Sequence, residues 1–142
     1  MIEEGRKAPN FTLQSVEGGA LTLKDCSGKP VVVYSYPRDG TPGCTREACA
    51  FRDFQGQIRK TGAVVLGVSP DSVASHQRST GKHRLNFPLL SDSDKSVEKE
   101  YGAYFIVDGQ GVVRKVFPEV KVDGHAERVL GALRDLGGRS EA

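Results

Sequence analysis

The chain has 142 residues, 37% hydrophobic and 27% charged, with a formal net charge of +2. That length and balance suit a single soluble domain spanning residues 1–142, with a core of its own. So small a net charge argues against nucleic acid or an acidic membrane as a partner, and no apolar run approaches the roughly 20 residues that span a bilayer.

In chain order, Phe11-Thr-Leu-Gln and Leu21-Thr-Leu alternate around Glu17-Gly18-Gly19, which predicts a short N-terminal hairpin. Val31-Val-Val-Tyr-Ser-Tyr36 reads as a buried central strand. From Thr45 to Lys60 the apolar residues Ala48, Phe51, Phe54 and Ile58 recur at three- and four-residue steps, the stripe of one helix. Ala63–Val68 is the next strand, and Ser69-Pro-Asp71 opens a helix to about Lys82, capped by Ser69 or Asp71. Phe87–Leu90 predicts a short strand, and Ser93–Tyr101 a helix closed by Gly102. Tyr104–Val107 and Val112–Phe117 flank Asp108-Gly-Gln-Gly111, a strong hairpin signal. The last helix runs from about Gly124 to Leu136, with Val129, Leu130, Leu133 and Leu136 facing inward. Alternating strands and helices, then a hairpin and a helix, predict an α/β thioredoxin-like fold with a mixed central sheet.

The informative chemistry lies in Pro37-Arg-Asp-Gly-Thr41-Pro-Gly-Cys44-Thr-Arg-Glu-Ala-Cys49. Cys44 stands where a strand ends and a helix begins, facing unpaired N–H groups and the positive end of the helix dipole, which favours thiolate. Cys49 is five residues on, about 7.5 Å along a helix and roughly 140° around it. Two such sulfurs bond only if the helix partly unwinds, since a disulfide tolerates little more than about 7 Å between Cα atoms. The spacing therefore suits a cycle in which Cys44 becomes a sulfenic acid, the segment melts, and Cys49 condenses with it. Thr41 is placed to hydrogen-bond a hydroperoxide, Pro37 offers an apolar wall, and Pro42 stiffens the loop. Glu47 orients a cation or caps the first turn. Three cysteines and a charged N-terminus without a secretory signal favour a reducing cytoplasm over a disulfide framework.

Pro37-x-x-x-Thr41-x-x-Cys44 with Cys49 after it resembles the peroxiredoxin active-site motif. The surrounding Tyr36–Asp53 is similar to the bacterioferritin comigratory protein, or peroxiredoxin Q, subgroup. The likeness extends to Ala8–Phe11, Leu66–Asp71, Phe87–Asp92, Val113–Phe117 and Gly124–Glu127. It implies a thiol-dependent peroxidase reducing hydrogen peroxide and organic hydroperoxides, without cofactor or metal. It further implies Cys44 as the peroxidatic and Cys49 as the resolving cysteine, thioredoxin or a glutaredoxin-type donor as reductant, and a monomer. A non-catalytic peroxide-sensing switch and a thiol–disulfide exchanger are the competing readings of the same residues.

One feature of the subgroup is missing. Its members carry a loop after the stretch matching Tyr101–Ala103, then an arginine that contacts the peroxidatic sulfur; here Ala103 runs directly into Tyr104. The matching flanks favour a segment left out of the chain over a trimmed variant. In a trimmed variant, Arg38, Arg46 and Arg114 are the candidate replacements. Cys26 reads as a spare thiol, His76, His83 and His125 as solvated or capping residues, and Arg52–Asp53 as a helix anchor or a surface ion pair.

Overall fold

The computed structural model describes residues 3–36, 39, 41–97, 104–117 and 125–140, with backbone alone at 43–44 and 136–140. Its strands are β1 (Thr12–Ser15), β2 (Ala20–Thr22), β3 (Val31–Ser35), β4 (Val64–Ser69), β5 (Leu89–Ser91), β6 (Tyr104–Val107) and β7 (Val113–Phe117). The long helices are α1 (Pro42–Lys60), α2 (Val73–His83) and α3 (His125–Ser140), and a 3-10 turn covers Leu23–Cys26. The strands form one sheet in the order β2-β1-β5-β4-β3-β6-β7. β3 pairs with β4 in parallel and with β6 antiparallel, and β4 pairs with β5 in parallel, so the sheet is mixed as predicted.

β3 explains why the core has two halves. Successive side chains on a strand point to opposite faces. Val32 and Tyr34 join a cluster with Phe51 and Ile58 of α1 and Val129, Leu130 and Leu133 of α3. Val31 and Val33 face the other way, into a cluster with Phe11, Leu66, Leu90 and Phe105. All five β3 residues are buried, so this strand reads as a continuous apolar run with no alternation. Its carboxyl end delivers the chain to α1.

Two predicted details shift. The cap of α2 is Ser72, whose side chain accepts from the Ser75 N–H; Ser69 and Asp71 are engaged elsewhere. α3 runs on to Ser140, beyond the predicted Leu136. Only Ser96 and Val97 of the predicted helix over 93–101 have described helical backbone, and the rest lies outside the described residues.

Gly67, in mid-β4, pairs with Tyr34 on one side and Leu89 on the other. A Cβ there would meet Leu89 Cδ2 at 2.8 Å and the Tyr34 hydroxyl at 3.0 Å. The tyrosine ring fills that space and stacks on Phe51 at 5.0 Å and Tyr104 at 5.8 Å. Gly67→Ala should therefore lower stability by about 1–3 kcal/mol through overpacking. Gly131→Ala, on an open face of α3, should raise it by about 0.5–1 kcal/mol. Urea unfolding midpoints at unchanged slope are the measurement.

Candidate active site

α1 starts at Pro42, three residues ahead of the predicted stripe from Thr45, at a threonine followed by proline. The Thr45 N–H donates to the Thr41 carbonyl at 2.9 Å, the first bond of the helix ladder. Pro42 takes the first helical position, where a missing N–H costs nothing and its fixed φ suits the helix. The N–H groups ahead of Thr45, those of Gly43 and Cys44, have no helical acceptor and form an anion-seeking end. The backbone is helical without interruption from Pro42 to Lys60, so positions 44 and 49 are held apart as the spacing predicts. Cys49 is half-buried, and its thiol is free. The Cys44 side chain, and Pro37 altogether, lie outside the described residues.

Two residues before Thr41, Asp39 ties the incoming loop to three other elements. Its Oδ1 accepts from the Tyr36 hydroxyl at 2.7 Å, and its Oδ2 from Ser75 Oγ at 2.9 Å and from His76 Nδ1 at 2.7 Å. Its backbone N–H donates to Asp71 Oδ2. Asp71 is itself fixed, bonded to Ser69 Oγ and, through its carbonyl, to Ser91 Oγ at 2.7 Å. Burial opposes ionisation of Asp39, but the bonds from His76, Tyr36 and Ser75 outweigh it and hold the carboxyl below the usual range. The Tyr36 phenol is pushed far up, first by burial and then by its bond to Asp39.

A second polar pair lies under the first turn of α1. Glu47, one turn after Cys44, is 2% exposed, and His125 at the start of α3 is fully buried. Glu47 Oε1 and His125 Nε2 are 3.6 Å apart, beyond a hydrogen bond, and no carboxylate oxygen or ring nitrogen of the pair has a hydrogen-bond partner among the described residues. Three aromatic rings meet the imidazole edge to face: Tyr104 at 4.6 Å, Phe117 at 5.2 Å and Phe51 at 6.0 Å. Burial lifts the Glu47 carboxyl to about 7, with Arg128 opposing, and lowers His125 to about 4, with Arg128 adding to the effect.

The chain matches the model of the AhpC/TSA family over residues 5–116. It belongs to that family. A Coxiella burnetii protein named among the peroxiredoxins of the bcp group is 48% identical, covering 93% of this chain and 99% of the relative. The chloroplastic peroxiredoxin Q of Oryza sativa subsp. japonica is 40% identical over 95% of this chain and 68% of its own length. Among solved structures, Xanthomonas campestris bacterioferritin comigratory protein, described with alkyl peroxide reduction activity, superposes with a TM-score of 0.85. It is 35% identical and covers 89% of this chain and 92% of its own. Mycobacterium tuberculosis peroxidoxin BcpB gives a TM-score of 0.89 at 29% identity, over 96% and 99% of the two chains. The chain is therefore a thiol-dependent peroxidase of the peroxiredoxin class on a thioredoxin-like fold.

The comparison also bears on the missing loop. The match to the Coxiella protein runs over 149 positions, more than the 142 residues this chain possesses, so the relative carries residues with no counterpart here. Ala103 precedes Tyr104 without a break in the full sequence. Arg114 is no replacement for the arginine. Its Nε donates to Asp108 Oδ2 at 2.7 Å in the β6–β7 turn, and Val31 pairs with Val107 while Tyr34 pairs with Tyr104, which puts that turn at the opposite end of β3 from α1. Arg46 is on the exposed side of α1, and Arg38 lies outside the described residues.

Reading the histidines as solvated or capping fails for His76 and His125, which are fully buried; His83 is partly exposed. Arg52 is both things expected of it, paired with Asp53 at 2.9 Å and donating to the His83 carbonyl at 2.7 Å. Asp39 lies within the motif, but its role is set in the fold: apart from Tyr36, its partners Asp71, Ser75 and His76 lie 32 to 37 residues on.

The pair predicts a compensation in the pH dependence of stability. Between about 4.5 and 7, folded Glu47 keeps a proton the unfolded chain has lost, so rising pH removes stability. Between about 4 and 6.5, unfolded His125 holds a proton the folded chain lacks, so rising pH adds stability. The two contributions should offset from about 4.5 to 6.5. In Glu47→Gln, stability should climb with pH across that window, and in His125→Phe it should fall. Denaturant titrations at half-unit pH steps check both signs.

Proposed function

We propose that Cys44 is the peroxidatic cysteine of this peroxidase and Cys49 its resolving partner. The Cys44 thiolate attacks the outer oxygen of a hydroperoxide, the O–O bond breaks, and the leaving oxygen takes a proton to become water or an alcohol. Cys44 is left as sulfenic acid. The Cys49 thiol then displaces the hydroxyl, forming the disulfide and releasing water, and an external dithiol returns both thiols. Thr41 and the N–H groups at the head of α1 are the donors for the incoming peroxide, and Pro37 its apolar wall.

The observation carrying this reading is the position of 44 and 49 on one continuous helix beginning at Thr41–Pro42. An exchanger needs two sulfurs that close without rearrangement, which a helical five-residue spacing denies. The reductant we infer is a thioredoxin or a glutaredoxin-type protein, the compartment the cytoplasm and the state a monomer. One domain over residues 1–142 is supported by a sheet whose strands come from Thr12 through Phe117. Among the described residues no helix is long and apolar enough to cross a membrane.

Cys44→Ser should reduce peroxide-dependent consumption of a thioredoxin system to background. Cys49→Ser should accept one equivalent of peroxide, stop at sulfenic acid, and pass to sulfinic acid with excess oxidant. Intact-mass spectrometry with a sulfenate trap distinguishes these products; normal turnover in Cys44→Ser would defeat the assignment.

A further inference from the structure

His76 has an acceptor at each ring nitrogen. Nδ1 faces the Asp39 carboxylate at 2.7 Å and Nε2 faces the Leu90 carbonyl at 2.9 Å. A neutral imidazole has one donor and one acceptor, and can satisfy only one of these contacts. Neither a carboxylate nor a peptide oxygen can donate in return. The ring is wholly buried, where a lone pair pressed against a carbonyl would be costly.

We propose that His76 is held as a doubly protonated imidazolium whose ion pair with Asp39 positions the peroxidatic loop, making His76 a positioning residue for the oxidation of Cys44. The inference deepens the peroxidase reading and rests on it. The pair joins four elements: the loop through Asp39, the end of β3 through Tyr36, α2 through Ser75 and His76 itself, and β5 through the Leu90 carbonyl. Asp71, from the β4–α2 turn, completes it by taking the Asp39 N–H. The ionisable groups bonded within this network, Asp39, Asp71 and Tyr36, carry no positive charge of their own.

The consequence is an asymmetric hinge. Cys44 and Cys49 meet only if α1 unwinds from its head. With Asp39 bolted to α2 and β5, the change is absorbed between Asp39 and Cys49, and the upstream chain stays where it presents the site to peroxide. The clamp should therefore matter for oxidation and not for ring closure.

Two measurements test this. Long-range proton–nitrogen NMR on the wild-type reduced protein at pH 7 should show both His76 ring nitrogens protonated, and Asp39→Asn should convert the ring to one neutral tautomer. A neutral tautomer in the wild type overturns the proposal without recourse to any variant. In rapid-mixing experiments with hydrogen peroxide, His76→Gln and Asp39→Asn should each slow Cys44 oxidation about tenfold or more, as loss of orientation does. Disulfide closure should stay within about twofold of wild type by the same reasoning. Equal slowing of both steps, or of neither, overturns the positioning role. If Cys44 in the wild type fails to oxidise, the peroxidase reading falls instead, whatever the NMR result.

Discussion

A continuous helix keeps two thiols five residues apart from ever meeting, and the rest of this molecule is arranged around that geometric refusal. In the proposed cycle, turnover breaks α1 at its head and leaves the remainder standing. The head is the inexpensive end to break. Its first N–H groups have no helical acceptor to lose, and Pro42 never had a donor. Further along, Phe51, Gln55 and Ile58 are buried against the sheet and α3, and unwinding past them would expose core. In the proposed cycle the boundary between yielding and fixed helix therefore falls between Cys49 and the buried Phe51.

The two buried polar clusters, one before α1 and one in its first turns, are built on opposite principles. Around Asp39 every acceptor meets a donor, and such a network is rigid because each member loses its partners if it moves. Around Glu47 no hydrogen bond is made at all among the described residues. A buried carboxyl lacking partners is kept neutral, and near pH 7 it is poised to ionise once it reaches water. Melting the head of α1 releases Glu47 to solvent and offsets part of the lost helix bonds. A bolted segment ending at Asp39 is thus followed by a helix start, carrying Glu47, that favours release.

Much of this was legible in the sequence, and the reason is local chemistry. The apolar run of β3, the period of α1, the Asp-Gly-Gln-Gly turn and the Thr-Pro helix start each need only near neighbours to act. Cys44 and Cys49 could be interpreted from spacing alone for the same reason, since a helix converts spacing into distance. What escaped was long-range. His76 looks like any polar residue on a solvated helix until α2 docks on β5, and His125 like a cap until α3 lays it against Phe51, Tyr104 and Phe117. The capping of α2 went to Ser72 because Asp71 was already committed to the loop 32 residues upstream. A residue with several strong local options takes the one the tertiary structure leaves open.

The arginine that the resemblance leads one to expect after Ala103 bears on the weight of these contacts. In the subgroup that this chain resembles, a guanidinium from the loop after the residues matching Tyr101–Ala103 stands beside the reactive sulfur. Here Tyr104 opens β6 directly after Ala103 and stacks against Tyr34 and the His125 ring. Aromatic surface excludes water but supplies no full charge. At the proposed site, the N–H groups at the head of α1 that lack helical acceptors, together with the helix dipole, are suited to stabilise a thiolate and the oxygen leaving the peroxide. Such dipolar stabilisation falls off within the first turn, so it serves only while the turn is accurately placed. A guanidinium on a long side chain can follow a loop that wanders; a helix end cannot. At the proposed site the demand falls on position, and the loop that leads to the head of α1 is tied down by the bonds that Asp39 makes to Tyr36, Asp71, Ser75 and His76.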